Sequence, residues 1–195
     1  MSARPFFLFA PGAGAASTSR WMVAWRKRLE TLGDVVAFDY PYMRAGRKSP
    51  DRQPVLIAAH REALAAVRAR ASGPIFLAGK SMGGRVGCHL ALEEPAAGVI
   101  CFGFPLRGQS GALRDEVLVA LRTRVLLLQG SRDDLCPLEL LAPVRARMAA
   151  PSTLLVVEGG DHSLLLSAAE RKATGTTQAE ADARVLAAIG QFVAG

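Results

Sequence analysis

The chain has 195 residues, half of them hydrophobic, and carries a formal charge of +7. That length can bury one full core and is short for two, so residues 1–195 read as a single domain. The excess charge does not mark a nucleic-acid binder: the basic residues are scattered over Arg26 to Arg28, Arg44 to Arg52, Arg61, Arg68 to Arg70 and Arg145 to Arg147, with no interleaved aromatics.

No apolar run approaches the roughly 18 residues that a membrane span needs. The run Phe6 to Ala10 is too short for a signal-peptide core and serves better as a first strand. Cys88, Cys101 and Cys136 form an odd, scattered set without a C-x-x-C pair, which suggests neither a disulfide framework nor a zinc site. A soluble, cytoplasmic protein without nucleic-acid or membrane partners is the expectation; the oligomeric state is not legible.

In chain order, six apolar runs read as buried strands: Pro5 to Ala10, Val35 to Tyr40, Pro74 to Ala78, Gly98 to Phe104, Arg124 to Gln129 and Thr153 to Val157. Most are continuous instead of alternating, as parallel strands covered on both faces should be. Between them apolar residues recur at helical spacing: Met22, Trp25, Leu29 and Leu32; then Ile57, His60, Leu64 and Val67; then Leu113, Val117 and Leu121. Pro143 implies two short helices or one kinked helix after Cys136. Thr177-Gln178-Ala179-Glu180 spells a capping box ahead of a last helix striped by Val185, Leu186, Ile189 and Phe192. This alternation predicts an α/β fold with a doubly wound, mostly parallel six-stranded sheet.

Ligands collect at the carboxyl ends of such strands. After the third strand, Gly79-Lys80-Ser81-Met82-Gly83 spells G-x-S-x-G, a nucleophile elbow in which small residues let strand and helix approach while the serine hydroxyl is pushed above the sheet. The embedded Gly-Lys-Ser is not a phosphate-binding loop. Gly73 and Gly79 are separated by five residues where that motif needs four, and Ile75 to Leu77 read as buried strand.

A serine needs a base and a group that orients the base. His162, in the glycine-bounded loop after the last strand, is the candidate base. His60 sits on an apolar helix stripe and His89 is more than two turns beyond Ser81, so neither is well placed. The loop after the fifth strand offers Asp133 and Asp134; Asp133, on the crest of Gly130-Ser131-Arg132-Asp133, is preferred as the orienting acid, with Asp134 the alternative. Asp161, adjacent to the base, reads as a loop brace. Backbone N–H groups of Met82 and Ala13 are the candidate oxyanion donors, the first at a helix start and the second in the Gly12-Ala13-Gly14 loop, whose small residues leave room for a substrate.

With these motifs the chain resembles the alpha/beta-hydrolase superfamily, and within it a small lidless group that includes the testis-expressed protein 30-like proteins and a scaffold subunit of a histone-acetyltransferase complex. The resemblance spans nearly the whole chain through Gly12-Ala13-Gly14-Ala15, Gly79 to Arg85, Gly130 to Asp133 and Asp161-His162-Ser163. It implies a Ser81-His162-Asp133 triad, strand order 2-1-3-4-5-6, and hydrolysis of a small ester, thioester or amide through an acyl-enzyme, with no cofactor or metal. A non-catalytic scaffold on the same fold is the alternative. The sequence departs from the common pattern at Pro11, where such proteins often carry histidine, and at Arg107, which follows Phe104-Pro105-Leu106. Arg107 reads either as a pocket residue favouring an anionic substrate group or as a solvated loop arginine. Only Pro105 to Thr123 separates the fourth and fifth strands, too little for a cap domain, so an open site is expected.

Overall fold

The apolar runs pair into one sheet because each is buried on both faces and needs its backbone groups satisfied by neighbours. In a computed structural model describing residues 3–108 and 111–195, the strands are β1 (Phe6–Ala10), β2 (Asp34–Ala37), β3 (Ile75–Lys80), β4 (Gly98–Phe102), β5 (Val125–Gly130) and β6 (Ser152–Val157). All neighbours run parallel, in the order β2-β1-β3-β4-β5-β6.

Successive side chains of a strand point to opposite faces, and the helices follow that alternation. Phe7, Phe9, Phe76, Ile100 and Phe102 pack with Met22 and Trp25 of α1 (Arg20–Leu29) and with Val185 and Ile189, which belong to the C-terminal helix Gln178–Ala194. Leu8, Leu77, Val99 and Leu127 face the other way. They meet α3 (Gln53–Arg68), α4 (Met82–Leu90), α5 (Glu116–Ala120) and α6 (Leu138–Arg147), a short α2 (Pro41–Arg44) preceding them in the chain. Before the C-terminal helix, α8, comes α7 (Ala168–Thr174), which buries no residue. The capping box is present at α8: the Thr177 hydroxyl accepts from the Glu180 N–H while Glu180 accepts from the Thr177 N–H.

Most strand boundaries shift by one or two residues from the sequence expectation, β3 running on to Lys80 and β5 to Gly130, and three differences have a visible cause. The second strand ends at Ala37 instead of Tyr40, because Tyr40 turns to cap α2, whose first residue is Pro41. The fourth ends at Phe102, since Gly103 has φ +64° and breaks the extended backbone. Leu113 is not on the helix with Val117. It is exposed and bridges antiparallel to Arg107, and α5 begins only at Glu116. Pro143 lies inside a single helix, α6. Among the described residues, the stretch between β4 and β5 holds this small hairpin and α5 and no cap domain.

Candidate active site

Ser81 joins β3 to α4 with φ 49° and ψ −114°, a backbone conformation that a non-glycine residue holds only under constraint. The constraint is tight packing around it. A β-carbon on Gly83 would come within 2.5 Å of the Ala10 carbonyl oxygen and 2.6 Å of that of Pro11. One on Gly79 would run into the backbone of Gly83 and Gly84. Both glycines of the elbow are therefore steric requirements, as the motif implies.

From this turn the Ser81 hydroxyl reaches His162: Oγ and Nε2 are 2.8 Å apart. On the other side of the ring, Nδ1 is 2.8 Å from Oδ2 of Asp133, whose side chain is fully buried. Asp133 is thus the partner of His162, while Asp134 is exposed. The Asp133 carboxylate is further anchored by the Leu135 N–H, which donates to Oδ1 at 2.9 Å, and by the Gln129 amide, which donates to Oδ2. Gln129 is itself buried and accepts from the Phe104 N–H at 3.0 Å, tying the acid loop to the end of β4.

The histidine loop is held from three directions. Asp161 Oδ1 accepts from the N–H groups of Ser163 and Leu165, so the residue expected to brace the loop does so. The Trp21 indole donates to the Ser163 carbonyl at 2.9 Å. Lys80, beside the serine, donates to the His162 carbonyl at 2.5 Å and lies over the Trp21 ring. Burial lowers the Lys80 pKa to about 8, an effect partly offset by the nearby carboxylates of Asp133 and Asp161.

Met82 opens α4, so its N–H has no partner inside the helix. Across from it, the first loop comes close to the serine: a β-carbon on Gly12 would be 3.6 Å from that of Ser81. The Tyr42 hydroxyl braces this loop by donating to the Ala13 carbonyl at 2.9 Å. Two depressions meet at Ser81 and Ala13. One, about 320 Å³, is walled by Gly12, Gly14, Ala15, Trp21, Met22 and His162. The other, about 340 Å³, includes Met82, Arg85, Pro105, Arg107 and Arg114 in its wall, so Arg107 does face a pocket. A larger hollow of about 570 Å³, around Arg4, Glu30 and Arg70, shares no residue with either.

A sequence model of the alpha/beta hydrolase domain matches residues 3–194. The chain belongs to the alpha/beta hydrolase family. Solved structures share the fold of this alpha/beta hydrolase at low identity. An alpha-beta serine hydrolase homologue from Coxiella burnetii superposes with a TM-score of 0.74 at 17% identity, covering 98% of this chain and 86% of its own. A cold-adapted esterase from an Arctic intertidal metagenomic library gives 0.69 at 16%, covering 98% and 83%. A serine hydrolase described as lacking a lid, from Xanthomonas campestris, gives 0.66 at 18%, covering 84% and 76%.

The side chains of the other histidines and of the cysteines make no hydrogen bond to Ser81, His162 or Asp133 among the described residues. His60 is fully buried, 3.3 Å from the Tyr40 hydroxyl, and burial pushes its pKa down to about 3. His89 packs beside Arg85. Cys136 is buried behind the acid loop, where desolvation raises its thiol to about 12, so it is an inert apolar group there. Cys88 and Cys101 are buried free thiols.

Among residues that sequence reasoning missed, Gln129, Lys80, Trp21 and Tyr42 each grip a site loop, and Gly103 has a required place beneath His162. The only local signal was polarity out of place: Gln129 ends an otherwise apolar strand, and Lys80 interrupts a tight glycine turn.

Proposed function

We propose that the protein is a serine hydrolase that cleaves small or exposed esters, thioesters or amides through an acyl-enzyme. The observation that carries this reading is the unbroken hydrogen-bond chain from Ser81 through His162 to Asp133, on a strained elbow. In the reaction, His162 Nε2 accepts the Ser81 proton as Oγ attacks the acyl carbon. The carbonyl π pair moves onto oxygen, and the N–H groups of Met82 and Ala13 stabilise that oxyanion. One such donor is worth about two to three orders of magnitude in rate.

The tetrahedral adduct collapses by re-forming the carbonyl and breaking the bond to the leaving group, which takes the proton from His162. Water then repeats the sequence: it gives its proton to Nε2, adds to the acyl carbon, and Ser81 leaves reprotonated. Asp133 stays ionised throughout and holds His162 with Nδ1 protonated, which frees Nε2 to act as base. The open surroundings of Ser81 and the short β4–β5 connection support short or exposed acyl substrates. The three free cysteines support a reducing, cytoplasmic setting.

The test is a panel of p-nitrophenyl esters of increasing chain length with wild type and Ser81→Ala side by side. Turnover by wild type at the short end, absent in the variant, is expected. Equal rates for the two proteins would refute the assignment.

A further inference from the structure

The depression beside Ser81 that contains Met82 is walled by three arginines from two separate segments. Arg85 lies one turn along α4 from the serine, its N–H donating to the Ser81 carbonyl at 3.1 Å. Arg107 and Arg114 come from the small hairpin after β4. That hairpin is pinned by Arg107 N–H to the Leu135 carbonyl at 2.7 Å and by Arg114 N–H to the Leu106 carbonyl at 2.8 Å. The Arg114 guanidinium lies beside Gly108, where a β-carbon would come within 3.0 Å of Nε.

Elsewhere Arg28, Arg47, Arg61, Arg68, Arg132 and Arg147 each hold a carboxylate within 4.0 Å. Among the described residues, Arg85, Arg107 and Arg114 hold none, a lack they share with other arginines such as Arg20, Arg124 and Arg184, but these three line one depression beside Ser81. Arg85 Nε is buried and has no hydrogen-bond partner among them; Nη1 reaches only the neutral Gln53 and His89. The single acid in this wall, Asp51, is already engaged by Arg47 and by the Tyr42 N–H. Burial first and the Arg114 charge second disfavour protonated Arg85, against smaller opposing effects of Cys88 and Tyr40, which places the Arg85 and Arg114 charges within reach of one another.

Orientation follows from the proton. A leaving group must receive its proton from His162, and His162 walls the other, more apolar depression. The acyl portion then extends past Met82 toward the arginines. Given the serine-hydrolase reading above, we propose that the acyl group carries a second anion, a carboxylate at the end of a short chain, bound by Arg85, Arg107 and Arg114. Ser81 and the three arginines line one depression of about 340 Å³, which limits the acyl group to a short chain. Arginine forks match carboxylate geometry, and charge-assisted pairs are among the stronger polar contacts; Arg85 and Arg114 are half-buried and Arg107 is exposed.

Two measurements separate this proposal from the catalytic reading on which it rests. Calorimetry on Ser81→Ala, which needs no turnover, compares monomethyl glutarate with dimethyl glutarate; kcat/KM for the same two esters is measured on wild type. The charged ester should bind and react at least about tenfold better, the scale of a lost charge-assisted hydrogen bond. The double variant Arg85→Gln/Arg114→Gln should bring both ratios toward one. If wild type hydrolyses neither these esters nor p-nitrophenyl esters while Ser81→Ala still prefers the charged one, the anion site stands and the hydrolase reading fails. If p-nitrophenyl esters are hydrolysed in a Ser81-dependent way but the neutral methyl ester binds as well as the charged one, the anion site is overturned and the hydrolase reading stands. A preference that survives the double variant also overturns it.

Discussion

The α-carbon of Gly103, at the end of β4, lies directly beneath His162. A β-carbon there would strike the His162 carbonyl oxygen and come within 3.2 Å of Nδ1. With φ +64°, the position also excludes side chains on backbone grounds. Gly103→Ala should therefore displace the imidazole that connects Ser81 and Asp133. We expect a large loss of kcat, and a fall in the thermal midpoint of about 5 °C or more on the scale of 2–4 °C per kcal/mol for a domain of this size. Calorimetry and steady-state kinetics on the purified variant check both; an unchanged midpoint with wild-type kcat would refute the packing argument.

The choice of acid separates two adjacent aspartates. Asp133→Asn should reduce kcat by several orders of magnitude, on the scale of about ten-thousandfold for neutralising such an acid. Asp134→Asn, at an exposed position, should retain activity within about threefold, as surface substitutions usually do. Kinetics on the two variants in parallel decide the matter, and damage confined to Asp134→Asn would reverse the assignment.

Lys80 provides a pH test. Its pKa falls to about 8 in the folded protein from an ordinary 10.5 because burial disfavours the cation. Between those values the unfolded chain binds more protons, so this group adds stability as pH rises and its penalty is fully present below about pH 8. The thermal midpoint of Lys80→Met relative to wild type should be most favourable below pH 8 and should decline toward pH 10. A pH-independent difference between the two proteins would contradict burial as the cause.

His60 gives the acid-side counterpart. Its folded pKa of about 3 lies below the ordinary 6.5. Neutral His60 therefore contributes stability that is complete above pH 6.5 and is lost as pH falls toward 3. His60→Leu should flatten the wild-type decline over that window, read as urea midpoints at pH 7, 5 and 4. A parallel decline in both proteins would place the acid sensitivity elsewhere.

The β-strands and the elbow were legible because their causes are local. A strand buried on both faces must be apolar at every position, as Val125 to Leu128 are, and a serine on a sharp turn needs small neighbours in sequence. Leu113 misled for a related reason: its spacing to Val117 suits a helix, but pairing with Arg107 across the hairpin took precedence. Gln129 accepting from the Phe104 N–H, Lys80 capping the His162 carbonyl and the convergence of Arg85 with Arg114 join segments far apart in the chain. No periodicity within one window encodes such contacts.

The central claim is that Ser81 is an activated nucleophile. The most direct measurement is labelling of the folded wild-type protein by a fluorophosphonate probe, with the modified residue located by mass spectrometry and a known serine hydrolase in the same tube. Stoichiometric modification at Ser81, abolished in His162→Ala, is the predicted result. A folded wild-type protein that stays unlabelled while the control enzyme reacts would contradict the account.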